Sequence, residues 1–211
     1  MLLGMNMLKV KNGFTLSEVL IAVLIIGVIA AMTIPALINS TNDSEYKAQL
    51  KKTFSNIASA TESIKEDNGG TMVGFASVNT MMAAYAEKFS TTQVCPAGGS
   101  KCWYTAPSYF YDGSQVPTNW TWVNYSSLVL ADGAVMFMEF TSPTCTYAGY
   151  GTPECANFTI DINGSKKPNK LGKDIFLVHI TKYGIVPWGV KADGFGCTGT
   201  GFGCAAKVIL E

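Results

Sequence analysis

Arginine is absent from the 211 residues, and histidine occurs once, at His179. All 15 positive charges are lysines, and 15 carboxylates balance them to a formal net charge of zero. Reading bases in a DNA groove takes a basic face and, for guanine, arginine forks. The sequence offers neither, so no nucleic-acid partner is expected. One histidine and no C-x-x-C leave a zinc site little to build on. No G-x-S-x-G, H-E-x-x-H or P-loop spacing occurs, so no catalytic constellation is legible and no enzyme is expected. Residues 194–199, GFGCTG, fit G-x-G-x-x-G, but no strand-to-helix unit surrounds them, and a turn-rich loop is the simpler reading. No cofactor is implied.

Charge is scarce overall, at 14% of residues, and nearly missing from one stretch. Residues 14–38 carry a single charge, Glu18. About 20 apolar residues suffice to cross a bilayer as a helix. Lys9 and Lys11 precede the run, which places that flank in the cytoplasm and the rest of the chain outside. No A-x-A site follows, so the run does not read as an ordinary cleaved signal peptide. Met1, Met5 and Met7 could each serve as the start. A carboxylate in hydrocarbon costs about 3 kcal/mol on insertion scales, so Glu18 calls for a reason.

Beyond the span, Tyr46, Leu50, Phe54, Ile57, Thr61 and Ile64 recur at three- and four-residue steps. Lys47, Lys51, Lys52, Glu62, Lys65 and Glu66 take the other faces. This is one apolar stripe of helical period, predicting a rod from about residue 14 to about 68 that packs on a head. Gly69 and Gly70 are a stop signal. Pro35 is expected to kink or weaken the rod. Residues 77–89 predict a second helix through Met81, Met82, Tyr85 and Phe89.

Strands are expected on both sides of Asp132-Gly133, a favoured hairpin turn. Others are expected in ANFTIDING, over residues 175–181 and around Ile185. The tail GCAAKVI reads as a last strand closing the sheet. The fold class is therefore α+β, with helix and antiparallel sheet segregated along the chain. His179, between Val178 and Ile180, reads as a half-buried structural residue. Trp103, Trp120, Trp122 and Trp188 read as core or interface before a glycan-binding surface.

The six cysteines all follow the apolar span, as Cys95/Cys102, Cys145/Cys155 and Cys197/Cys204. Each close pair brackets Gly/Pro/Ser-rich sequence, so local pairing is the expectation among the 15 connectivities that six cysteines allow. Disulfides imply an oxidising compartment; free or buried thiols are the alternative.

Gly13 followed by FTLSEVLIAVLIIGVIAAMTIPAL resembles the N-terminus of the type IV pilin and type II secretion pseudopilin superfamily. The likeness rests on a short basic leader ending in Gly, then Phe, then Glu at a fixed offset, then an uninterrupted apolar run. It implies that a membrane-embedded prepilin peptidase removes residues 1–13 between Gly13 and Phe14 and methylates the new Phe14 amine. Gly13 suits that role by leaving no side chain beside the scissile bond. Residues 14–38 would then be the transmembrane and filament-assembly helix, 39–69 its amphipathic continuation, and 70–211 an extracytoplasmic, pilin-like head. The resemblance gives Glu18 an assembly role, pairing with the N-terminal amine of a neighbouring subunit, and Pro35 matches a proline that many pilins carry.

Ala22, Gly27 and Ala31 offer small positions for close helix packing. Implied partners are further copies of the chain, other pilins or minor pseudopilins, the peptidase, an inner-membrane platform protein, an assembly ATPase and membrane lipid. The implied location is a single pass in the bacterial inner membrane, then a pilus or pseudopilus. Residues 161–174, DINGSKKPNKLGKD, resemble a head loop of such proteins. Asp161 and Asn163 echo the first ligands of a calcium loop, but Gly164, four lysines and the lack of a closing Glu argue for a plain turn and no metal. Two other readings are a permanently anchored binding module with an uncleaved signal anchor and, less well supported, an anchored enzyme.

Overall fold

The computed structural model describes residue 13 and residues 15–98, 102, 107–117 and 125–211. The leader up to residue 12, Phe14, Trp103, Trp120 and Trp122 lie outside the described residues. The chain forms two compact units, Met1–Asn42 and Asp43–Glu211. Helix α1, Leu16–Asp67, contributes to both.

In the first unit, the stretch Leu16–Pro35 is long and apolar enough to cross a membrane. Leu20, Ile21, Leu24, Ile25 and Ile29 are all more than half exposed. So large an unbroken apolar surface suits hydrocarbon or a partner, not water. The helix runs on through Pro35. Proline has no N–H, so the bond to the carbonyl four residues earlier is missing there.

In the second unit, the expected stripe of α1 is the buried one. Leu50, Ile57, Ala60 and Ile64 enter the main core, and Tyr46 and Phe54 pack at its edge. Thr61 belongs to the stripe because its hydroxyl is satisfied twice, donating to the Ile57 carbonyl at 2.7 Å and pairing with Tyr85 Oη at 2.6 Å. Past Asp67, Gly69 and Gly70 take positive φ and Gly70 N donates back to the Lys65 carbonyl at 2.7 Å. That satisfies a carbonyl the helix end would otherwise leave open. Helix α2, Val78–Lys88, starts on a Ser77/Thr80 capping box and buries Met81, Met82 and Tyr85.

The strands are β1 Thr91–Cys95, β2 Ser126–Leu130, β3 Val135–Phe140, β4 Ala156–Asp161, β5 Ile175–Thr181 and β6 Gly184–Pro187. They form one sheet in the order β1 to β6, each antiparallel to the next. The β2–β3 turn carries Gly133 at φ 91°, as the Asp-Gly signal predicts. Alternate residues divide between the two faces. Met136, Met138, Phe158, Ile160, Phe176, Val178 and Ile180 join the core built with α1 and α2. Ile175 and Leu177 join a second core with Val116, Leu171 and Trp188, edged by Phe195 and Phe202. The fold is α+β and pilin-like, a long N-terminal helix with an antiparallel sheet.

Three particulars differ from the sequence expectation. The tail is a helix, α3 Cys204–Leu210, and not a closing strand. Ala205, Ala206 and Lys207 are strong helix formers, and Cys204, Ala205, Val208 and Ile209 meet the core at helical spacing. Strand β1 carries no sequence signal, because its burial is low and its side chains do not alternate apolar and polar. His179 is fully buried, not half-buried. The alternation argument assumes one wet face, whereas the aromatic layer of Trp188, Phe195 and Phe202 covers this one. Disulfides join Cys95 to Cys102, Cys145 to Cys155 and Cys197 to Cys204, so each closes a short local loop.

Candidate functional site

The N-terminal site is built on the first turn of α1. Gly13 is exposed and outside regular structure. Thr15 and Glu18 form a reciprocal cap. Thr15 N and Thr15 Oγ1 donate to Glu18 Oε2 at 2.8 and 2.7 Å, and Glu18 N donates to Thr15 Oγ1 at 3.3 Å. The T-x-x-E spacing is a capping box, which satisfies backbone N–H groups that a helix start leaves open. Glu18 thus has a local reason to exist, as half of the cap. The signal lies in the sequence, and a reading centred on the membrane passes over it. Only Oε2 is occupied; Oε1 accepts no hydrogen bond among the described residues. Pro35 lies 17 residues further along the same helix (35 minus 18).

The head holds a second polar site on the sheet face covered by the aromatic layer. Glu139, Asn157 and His179 stand directly opposite one another on β3, β4 and β5. Asn157 Nδ2 donates to Glu139 Oε2 at 3.0 Å and to Glu154 Oε1 at 3.2 Å. His179 Nδ1 meets Glu154 Oε2 at 2.5 Å, and its Nε2 lies 3.5 Å from Asp193 Oδ2. Asp193 also accepts Gly189 N and Phe195 N at 2.8 and 2.9 Å, which folds the 189–195 loop around it. Trp188 stacks on the His179 ring at 4.8 Å and, at the same spacing, on Phe195. Burial pushes the Glu154 carboxyl above the usual range, and His179 pulls it back. No motif in the sequence marks Glu154 or Asp193, because chain folding alone brings them to His179.

In the 161–174 loop, Asp174 is the organiser. It accepts Asn169 N at 2.8 Å, Lys170 N at 2.6 Å and Asn163 Nδ2 at 3.2 Å. Asn163 Nδ2 also lies 3.3 Å from Tyr46 Oη, and Asp161 Oδ1 accepts Asn163 N at 3.1 Å. Burial raises the Asp174 carboxyl, and these donors offset part of it. Asp161 and Asn163 thus serve the turn's own hydrogen bonds.

Residues 8–34 match the model of the prokaryotic N-terminal methylation motif. That motif is the hallmark of prepilin-like proteins, type IV pilins and pseudopilins among them, and this chain carries it. It spans Gly13, Phe14 and Glu18 and ends one residue before Pro35. No curated protein and no solved structure matches the chain significantly.

Proposed function

We propose that the chain is the precursor of a structural filament subunit, a pilin or pseudopilin of a type IV pilus or type II secretion machine. A prepilin peptidase cuts between Gly13 and Phe14 and methylates the Phe14 amine. The apolar half of α1 anchors the protein in the inner membrane with its head outside, then passes into the filament core among copies of the chain or minor pseudopilins. A platform protein and an assembly ATPase drive that transfer. Residues 39–69 continue the helix, and 70–211 form the head.

The observation that carries this reading is the Glu18 carboxylate. It sits five residues beyond the cut site, in the first turn of an exposed apolar helix, with one oxygen in the cap and the other accepting no hydrogen bond among the described residues. A buried charge needs a partner, and the amine released at Phe14 of a neighbour is the opposite charge at the right end of the helix. Capping and pairing use different oxygens, so the cap can persist in the filament. Mass spectrometry of the N-terminal peptide from membrane-extracted protein tests it. The expected peptide begins at N-methylated Phe14; an intact leader on all of the protein would instead support a permanent signal anchor.

A further inference from the structure

The covered face of the sheet holds chemistry that filament assembly does not use. A cleft of about 400 Å³ opens against the Glu139–Asn157 part of the polar row. That volume lies within the usual range of small-molecule sites. Phe137, Leu177, Trp188, Phe195 and Phe202 are among its walls, and Tyr125 and Tyr150 stand beside Glu139 at its polar end. Glu139 is the sole charged side chain among its described lining residues.

Glu139 makes no ion pair among the described residues. Its contacts are neutral donors, Asn157 Nδ2 at 3.0 Å, Tyr150 Oη at 3.4 Å and the Tyr125 hydroxyl. Behind it, the buried Glu154 and Asp193 share the single His179 ring. This face of the sheet therefore holds three carboxylates and one imidazole, with Asn157 between Glu139 and His179, and it stays net negative even with that ring protonated. Such a potential beside apolar walls is costly unless a cation answers it. Tyr125 reports the same field: burial, and then the Glu139 charge, push its phenol up to about 12. A second feature points to a ligand: Trp188, one wall of the cleft, is 4% exposed, and its Nε1–H is a buried donor with no acceptor among the described residues.

We infer that this cleft binds a small organic cation, an ammonium whose head sits at Glu139, whose apolar body lies along the aromatic wall, and whose acceptor group takes the Trp188 N–H. An anion meets the wrong field. A neutral ligand leaves Glu139 without a counter-charge. The inference stands whether or not the chain enters a filament.

The test uses the full chain in detergent micelles, with choline as probe and dimethylbutanol, its uncharged carbon isostere, as comparison. Ligand-observed NMR titration should give saturable choline binding, with the alcohol weaker by about tenfold or more, as loss of a charge contact in a partly desolvated site implies. Glu139→Gln, which keeps the shape and removes the charge, should weaken choline binding by a similar factor. Glu87→Gln, on the exposed side of α2, should leave it unchanged. Absence of saturable choline binding, equal binding of the alcohol, or undiminished binding by a folded E139Q each overturns the inference. Should E139Q fail to fold, the choline–alcohol comparison on the unaltered chain decides.

Discussion

Replacing His179 by Leu removes the one ring that faces both Glu154 and Asp193. Glu154 is fully buried and Asp193 is 8% exposed, so neither carboxylate can turn to water for compensation. Breaking a buried ion pair by deleting one partner costs about 3–5 kcal/mol, because the remaining charge stays buried and uncompensated. In a unit of this size about 1 kcal/mol moves the melting temperature by roughly 2–4 °C. The expected loss at neutral pH is therefore roughly 10 °C, read by thermal denaturation of the full chain in detergent.

The pH dependence carries a sign. Glu154 already titrates above the ordinary carboxylate range through burial, and His179 is the main group holding it down. Without His179 it rises further. An acid whose folded pKa is raised favours the fold below its unfolded pKa and loses that contribution as pH rises through the folded value. The H179L deficit should thus shrink between about pH 7 and about pH 5. Adding Glu154→Gln to H179L should recover part of the loss at neutral pH, since it removes one of the two stranded charges. A variant melting within about 2 °C of the unaltered chain, or a deficit equal at both pH values, would refute the reasoning.

Glu18→Ala should abolish incorporation into filaments while leaving leader cleavage largely intact; immunoblots of sheared filaments against membranes check both, and normal filament levels of E18A would sink the pairing argument. Its loss of the capping box should cost helix stability only about 1 kcal/mol. Tyr85→Phe removes the 2.6 Å contact with Thr61, but Thr61 keeps its bond to the Ile57 carbonyl. No orphan is left, so urea unfolding should show a loss of only about 1 kcal/mol. The double substitution Cys197→Ala and Cys204→Ala opens the loop that pins the start of α3. Loop-closure entropy puts the cost at about 2 kcal/mol, seen as a melting temperature lower by roughly 5 °C.

The elements that sequence makes legible are those whose signal is local. The stripe from Leu50 to Ile64, the Gly69-Gly70 stop and the Asp132-Gly133 turn each depend on neighbours a few residues away, and all are in the structure. The methylation motif is legible for the same reason. What stays hidden depends on distant chain. The alternating pattern gives His179 the right strand but the wrong environment, since nothing near it announces that residues 188–203 return to cover its face. Glu154 and Asp193 lie 25 residues before and 14 residues after it in the chain, and no spacing rule joins them (179 minus 154, and 193 minus 179). The tail shows the opposite failure: Ala-Ala-Lys declares a helix locally, and the expectation of a closing strand overrode it.

The strict β1-to-β6 order has a consequence for how the head is made. Every strand pairs with the one synthesised just before it, so the sheet can zip forward as chain becomes available, without waiting for a distant partner. On the α1 and α2 side, both helices are supplied early, by residues that precede the sheet, and α3 joins that core afterwards. The other side begins with Val116 and Leu171 but is completed late, because Trp188, Phe195 and Phe202 come after β6. Until that last stretch arrives, Trp188 cannot stack on His179 and Asp193 cannot reach its ring, so the His179 end of the row stays open. Burial of the His179 end of the row is therefore a late event in biogenesis, and the Cys197–Cys204 bond, downstream of all six strands, is in position to fasten it.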